Sequence, residues 1–519
     1  MINRHYAEMA EKNLPPLHHE TVKSDKKVKI VPDGSFLGFK ALPDGKIPDV
    51  VVMQNPRKLN DGMVIYDGGT SFVIDFGRHC VGRLSFMVDD DGKYLDAPVK
   101  LRLRFAETPY ELGRDWSTYH GTLCSSWLQE EIVNIDNKGL YKLPRRYAFR
   151  YLEVNLVATY RPTKLYDFTV ECETSADVTK MKPLPDGTDP VLVRIDEVAA
   201  ATLRDCMQEA YEDGPKRDRR LWSGDLRLQA LTDQVLFDNR ELARRSMYLF
   251  AACEEEGRYL PGCLYMKPEI YSDRDISIAD YSMAFCRSVA DYYCHTGDAE
   301  TVRDLFPVVK RQIELHISDF NSDGSLTLSD DWKGFIDWAK GLKKNAAVTG
   351  FFLYAVDAMI PVAREIGEDA CADRWQAFAD ETRAKAKKYY FDASKKVFVC
   401  EGQVSVQSQV WMILGGVTSG EEGRTALETA LADPESVKQV TPYMNYYLVE
   451  AFMKLGMKDE AKAHIIGYWG KMVEEGADTF WEVFKPDDRE LSPYSDPVMH
   501  SFCHAWSCAP SYFIRKYLV

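Results

Sequence analysis

The sequence lacks several features that would narrow its role at once. Its 12 cysteines include no CxxC pair, and Cys503 and Cys508, though close, have no matching Cys/His pair to suggest zinc. No run of about 18 apolar residues occurs, so no transmembrane helix is expected. The first residues, MINRHYAEMAEKNLPP, are polar and lack the apolar stretch of a secretory signal. Without such a signal the cysteines are expected as buried free thiols, and the expected location is the reducing cytoplasm. Positive charge is also in short supply. The chain has 65 Lys and Arg against 80 Asp and Glu, a net charge of −15, which argues against nucleic acid or a membrane surface as partner.

What remains is a long chain of ordinary globular composition. At 519 residues it is too long for one core, so at least two domains are expected. Residues 28–180 carry short runs such as SFVIDFG and VKLRLRFAE, in which Val, Ile, Tyr and Phe recur at period two between Gly, Asp and Pro turns. They predict an antiparallel β-sandwich, preceded by an N-terminal extension over 1–27. PDGTDP, 185–190, reads as a linker. From 191 to 519 the period becomes 3.6, with eleven or twelve amphipathic segments and short connections. Helices joined in this way pack as hairpins, and six hairpins close into an (α/α)6 barrel. A solenoid is the competing topology, and the absence of a fixed sequence repeat weighs against it.

Four segments of the helical half concentrate acids and aromatic rings. DGPKRDRRLWSGD, 213–225, follows the first amphipathic helix, and Pro215 disfavours its continuation. Ser223 is a candidate cap for the next helix. GADTFWEVFKPDD, 476–488, sets Glu482 in an aromatic run, where a carboxylate is costly unless paired or functional. SDDWKGFIDW, 329–338, and HSFCHAWS, whose His504 sits in a stretch read as an apolar helix, complete the set. For any one cluster, a structural ion-pair network or simple packing is the commoner explanation. Repetition of acid-plus-aromatic groups between the helices of one domain points instead to glycosidic cleavage. That chemistry needs one carboxylic acid for the leaving oxygen and a second carboxylate as nucleophile or activator of water.

DGPKRDRRLWSGD, DTFWE and SFCHAWS, in that order, resemble the α-L-rhamnosidases of glycoside hydrolase family 78, and VIDFGRHCVGRL and RRYAFRYLEV resemble the β-sandwich that precedes the barrel there. The resemblance runs from about residue 60 to the end. It implies an inverting hydrolase that removes terminal α-linked L-rhamnose, with no cofactor and no metal. It assigns Asp213, Arg217 and Asp225 to sugar binding, Trp222 to packing on the ring, Glu482 to the general base and His504 to binding. Many members carry a loop one residue longer, with a Glu where Arg219 would align here. The shorter form puts the general acid at Asp218. Asp331, Trp332 and Trp338 are further candidates for binding the sugar hydroxyls and methyl group, on a looser match.

For inversion the two carboxyl groups must leave room for water, about 6.5–9.5 Å. The acid must hold a proton near neutral pH. Asp213 and Asp225 favour this by repulsion, and Arg217, Arg219 and Arg220 oppose it if they point inward. At least one of these arginines is expected to face away, toward Asp213 or an acid of the sandwich. The reading requires Asp218 and Glu482 to share one pocket, with neither locked in an ion pair. The expected partner is a small rhamnosylated glycoside, and a homodimer is the assembly carried forward. The alternatives are a glycosidase of the same fold acting on another sugar, a phosphorolytic enzyme of that barrel class, a non-catalytic carbohydrate-binding homologue, or a helical scaffold.

Overall fold

The computed structural model describes residues 2–47, 71–90, 92–273, 276–326 and 334–519, with the short strands Pro56–Lys58 and Val64–Asp67. Within them lie an antiparallel β-domain and a helical barrel.

The strands of the β-domain are β1 (His18–Lys23), β2 (Lys26–Pro32), β3 (Phe39–Lys46), β4 (Pro56–Lys58), β5 (Val64–Asp67), β6 (Ser71–Asp90), β7 (Val99–Ala106), β8 (Glu130–Ile135), β9 (Gly139–Lys142), β10 (Tyr147–Thr159) and β11 (Thr163–Thr174). Every pairing among them is antiparallel. The long strand β6 is the spine. Its first half pairs with β10 and its second half with β11. The change of partner falls at Gly82, where a Cβ would collide with the Glu171 carbonyl, so only glycine lets the strands approach. Period two is clear in β7, where Val99, Leu101, Leu103 and Phe105 are buried and the residues between them are not.

One expectation for the first residues needs correction. Residues 1–27 are not an extension apart from the fold: β1 pairs along its whole length with β11. Its residues HHETVK are nearly all exposed, so an edge strand of this kind carries no apolar alternation to read. Before it, helix α1 (Arg4–Lys12) packs on the barrel, with Tyr6 and Ala10 buried.

A short turn of helix, α2 (Pro109–Gly113), belongs to the β-domain. The barrel begins at α3 (Pro190–Cys206), where Asp189 accepts a bond from the Val191 amide and Pro190 opens the first turn. There follow α4 (Ser223–Leu236), α5 (Arg240–Ala252), α6 (Ala279–Thr296), α7 (Ala299–Ile317), α8 (Asn345–Glu365), α9 (Asp369–Tyr390), α10 (Val406–Leu414), α11 (Gly420–Ala432), α12 (Pro442–Lys454), α13 (Lys458–Ile465), α14 (Lys471–Glu474) and α15 (Pro510–Phe513). Alternate helices α4, α6, α8, α10 and α12 each pack on the next and form an inner ring. The helices between them lie outside, and residues 505–513 close the ring between α12 and α4. Helix α8 is long and apolar enough to cross a membrane, but 83% of its apolar window is buried inside the barrel.

Three further departures bear on the site. The helix expected over 500–517 is confined to α15 and a π turn at Ile514–Leu518; residues 500–509 form a loop with one 3-10 turn. Ser223 is the first residue of α4 rather than its cap, and its hydroxyl donates to the Gly262 carbonyl. The helical half also holds β structure: β12 (Leu221–Trp222) pairs with β13 (Cys263–Leu264), and β14 (Phe391–Asp392), β15 (Val397–Cys400) and β16 (Gln403–Val404) form a small sheet.

Candidate active site

Three segments meet at one end of the barrel. The loop 213–222 folds back on itself: the Asp213 amide donates to the Arg220 carbonyl, and the Asp213 carboxylate accepts the amides of Asp218 and Arg220 at 3.2 and 3.1 Å. Gly214 is obligatory here, because a Cβ would strike the Arg217 carbonyl and Ser501. The segments around Glu482 and His504 are laced to this loop. Ser501 Oγ donates to the Arg217 carbonyl at 2.6 Å, the Ala505 amide to the Asp213 carbonyl at 2.8 Å, and the Glu482 amide to the Ser501 carbonyl at 2.9 Å.

From behind, the β-domain grips the same loop. Lys216 Nζ lies 2.9 Å from Glu111 and 3.2 Å from Glu107. Glu107 also receives His79 Nε2 at 3.2 Å, and His79 Nδ1 reaches Asp205, at the end of α3, at 2.8 Å. His79, Asp205 and Cys503 stand close enough together to hold a metal ion. Both ring nitrogens of His79 are already bonded to carboxylates, however, and Lys216 bonds to Glu107, so the donor set fits an ion-pair network better than a cation.

In front of the loop is a cavity of about 110 Å³. Asp213, Arg217, Asp218, Trp222 and Asp225 line it together with Glu482, His504 and Trp338. The structure thus brings together eight of the ten residues singled out from the sequence. The other two, Asp331 and Trp332, lie outside the described residues. Asp225 sits in the first turn of α4, and Trp222 stands edge-on to Tyr281 at 6.2 Å. Trp338 is carried by a segment held from below by two carboxylates: Asp280 accepts the amides of Phe335 and Ile336, and Asp337 accepts those of Val440 and Thr441. Asp337 is therefore a clamp rather than a ligand.

Arg217 bridges the two carboxylates of interest. One terminal nitrogen is 3.1 Å from Asp218 Oδ1 and the other is hydrogen bonded to Glu482 Oε2, while the guanidinium lies over the Tyr494 ring at 4.3 Å. Tyr494 donates to Glu482 Oε1, and the Ser501 amide donates to Oε2 at 3.1 Å. The expectation that neither carboxylate is ion-paired therefore needs correction for both, because buried Arg217 requires counter-charge: it pairs with Glu482 and with Asp218, and Arg220 stands near Asp218 as well. Burial alone would raise Glu482, but Arg217 overrides it and takes the carboxyl down to about 2, so it is ionised at any ordinary pH.

The remaining acids behave oppositely. Burial, and then repulsion from Asp218, push Asp213 up to about 8. Burial, then Asp213 and Glu482, lift Asp225 well above the carboxylate range. Burial takes His504 down to about 4, leaving the ring neutral. His504 Nδ1 and Asp225 Oδ1 face each other at 3.7 Å, beyond hydrogen-bond range, and neither has a hydrogen-bond partner among the described residues. Two buried polar atoms left open in this way, rimmed by aromatic rings, suit the hydroxyls of a sugar.

Of the three arginines in the loop, Arg219 turns away, as one of them was expected to. Its partners are the carbonyl of Pro215 and Gln129 of the β-domain, neither of them an acid. Arg220 stands 3.6 Å from Asp218 Oδ2. Tyr281, Phe335, Tyr494 and Trp506 also line the cavity. Trp506 lies within HSFCHAWS and was open to discovery there. Tyr494 is an isolated aromatic in a turn-rich stretch and gives no signal in the sequence.

Comparison with known proteins follows the same division. Residues 49–174 match the glycosyl hydrolase family 78 α-rhamnosidase N-terminal domain, and residues 186–518 match the bacterial α-L-rhamnosidase six-hairpin glycosidase domain. No curated protein matches the chain. Among solved structures, a rhamnosidase from Klebsiella oxytoca with rhamnose bound is 35% identical, with a TM-score of 0.93, covering 100% of this chain and 99% of that one. A family 78 rhamnosidase of Bacillus sp. GL1 is 22% identical, with a TM-score of 0.73, over 91% of this chain and 47% of that one. A Streptomyces avermitilis α-L-rhamnosidase complexed with L-rhamnose is 17% identical, with a TM-score of 0.67, over 96% and 44%. The last two speak to the fold alone.

Proposed function

The chain belongs to the α-L-rhamnosidases of glycosyl hydrolase family 78, and from that premise we propose that it hydrolyses terminal α-L-rhamnosides with inversion, Asp218 serving as general acid and Glu482 as general base. The observation that carries the assignment is the single guanidinium of Arg217 spanning both carboxylates at the wall of one cavity. Rhamnose lies in that cavity, with Asp225 and His504 taking its hydroxyls and Trp222 and Trp338 lying against its apolar face. Asp218 donates its proton to the glycosidic oxygen as the bond to the anomeric carbon lengthens. Glu482 takes a proton from water entering on the opposite face. A carboxylate held near 2 is a weak base, but water bonding to an oxocarbenium-like centre becomes acidic as it attacks, so the proton leaves late.

The test is hydrolysis of p-nitrophenyl α-L-rhamnoside, with the anomer of the released sugar followed by NMR. E482Q should abolish turnover. D218N should keep part of it, because p-nitrophenol leaves with little help from an acid, while losing glycosides of poor leaving groups. First release of the anomer opposite to that of the substrate is the expected result. First release of the same anomer overturns the inverting assignment. Turnover only on other glycosides of a panel, or only with added phosphate, overturns the rhamnosidase reading. No turnover at all favours a binding protein.

A second reading has one observation behind it: Asp213, not Asp218, is the loop acid raised to about 8. If Asp213 is the donor, D213N rather than D218N will spare substrates with strongly acidic leaving groups while losing the rest. The proposed setting is the cytoplasm, on small imported glycosides, with a homodimer to be checked by sedimentation. Cell fractionation tests the location.

A further inference from the structure

A second, larger cavity of about 610 Å³ lies on the far side of the acid loop, between the β-domain and the barrel. Asp218 is the residue that lines both cavities. If Asp218 is the acid, as proposed above, the scissile oxygen sits beside it, with the rhamnose on one side and the leaving group on the other. The larger cavity is then the place for the leaving group, and its walls say what kind.

Two partly exposed rings, Trp127 from the β-domain and Tyr265 from the barrel, offer flat surfaces. Charge dominates the rest. Arg83 is answered by Glu173, Arg146 by Glu212 and Lys267 by Glu209. That leaves the two arginines nearest the acid. The Arg220 guanidinium lies over Tyr265 at 4.1 Å and is 3.6 Å from Asp218, a carboxyl that must be protonated to act. Arg219 pairs with no carboxylate among the described residues and reaches only neutral oxygens, Pro215 at 2.7 Å and Gln129 at 3.4 Å. It holds a left-handed backbone, φ 62°, in which a residue with a Cβ is uncommon. Burial, and then the neighbouring Arg146, push its guanidinium down to about 10. A half-buried cation repelled by a second cation lacks one counter-charge.

We propose that this cavity holds the leaving group and that Arg219, supported by Arg220, recognises a carboxylate on it, making the favoured substrate an α-L-rhamnoside of an acidic sugar, a uronate. A neutral sugar would stack on Trp127 and Tyr265 equally well but would leave the charge of Arg219 unanswered.

The experiment compares an α-L-rhamnosyl uronate with its methyl ester, using the full chain and p-nitrophenyl α-L-rhamnoside as reference. The acid should exceed the ester in kcat/KM by about tenfold, the size of one hydrogen bond to a charged group. Added salt should shrink the ratio, and R219Q should bring it close to one. Because the readout is a ratio within each protein, a general loss of turnover in R219Q does not obscure it. If that variant does not fold, the ratio and its salt dependence in the unaltered chain decide. Hydrolysis of the p-nitrophenyl glycoside with the ester equal to or better than the acid overturns this inference and spares the parent reading. A ratio that survives R219Q also overturns it. Failure on every α-rhamnoside overturns both.

Discussion

Two buried clusters of charge lie back to back across the loop 213–222, and they are built on opposite rules. Behind the loop, Glu107, Glu111, His79, Asp205 and Lys216 form a network in which each charge has a partner from the opposite domain. Burial opposes the charged ring of His79, yet Cys503, Asp205 and Glu107 prevail and hold it well above its usual value. In front, Asp225 and His504 face each other unbonded, and Asp213 keeps its proton because burial and repulsion from Asp218 outweigh the backbone amides and Arg217 that favour its ionisation. The lesson is that burial of charge does not itself mark a site. A closed network holds parts in place. An open one is shaped for something that arrives later.

The comparison can be broken in graded steps. The largest effect is expected from E482Q, which should lower kcat by about 10³- to 10⁴-fold and also lower the melt, since buried Arg217 then keeps only Asp218 as counter-charge; a variant that keeps a tenth of its activity would sink the base assignment. Next comes H79A in the closed network, which removes the ring shared by Asp205 and Glu107, leaving them Arg204 and Lys216, and should cost about 1–3 kcal/mol of stability by denaturant titration. An unchanged melt would show that the network holds nothing. D225N should do the reverse. Its kcat/KM should fall by about 10- to 100-fold, the value of roughly 1–3 kcal/mol of lost recognition, while stability holds or improves, since Asp225 Oδ1 bonds to nothing among the described residues. A large drop in melting temperature would count Asp225 with the scaffold.

A pH series sharpens the contrast further. Asp213 is raised from 3.8 to about 8, so between those values the folded chain keeps a proton that the unfolded chain has released. Its contribution to stability is therefore present below about pH 4 and is lost as pH rises through about 8. D213N should flatten that slope; an identical slope would assign it elsewhere. The smallest effect is expected from W338A. Trp338 is 40% exposed at the cavity rim, so a few-fold rise in KM with kcat retained is the expected result, and a loss of kcat would mean the ring orients the reacting sugar.

Much of this arrangement is legible in the chain, for identifiable reasons. Helices α6 to α12 show because one apolar face each is buried in a continuous barrel core. Strand β1 does not show, because HHETVK buries almost nothing. The segment 500–509 misleads for the opposite reason. Phe502, Cys503, Ala505 and Trp506 are as buried as any helix face, but backbone bonds to Phe480 and Asp213 hold them as a loop until Pro510 starts α15. The acids of the site stand out because carboxylates beside Trp are rare in a core. Tyr494 under the Arg217 guanidinium and Arg219 beside Gln129 depend on contacts between segments distant in the chain, which no local pattern encodes.

Helix α1 has a consequence for synthesis. Its dock is α5 and α7: the Asn3 amide donates to the Ala252 carbonyl, Arg245 to the Ala10 carbonyl and Tyr6 to the Asp304 carbonyl. The ribosome delivers this helix long before it delivers Arg245, Ala252 or Asp304. Tyr6 and Ala10 must therefore stay uncovered while the β-domain and half the barrel emerge. The nascent chain thus carries a sticky segment ahead of the β-domain, and a chaperone that shields short amphipathic segments would find a client surface there.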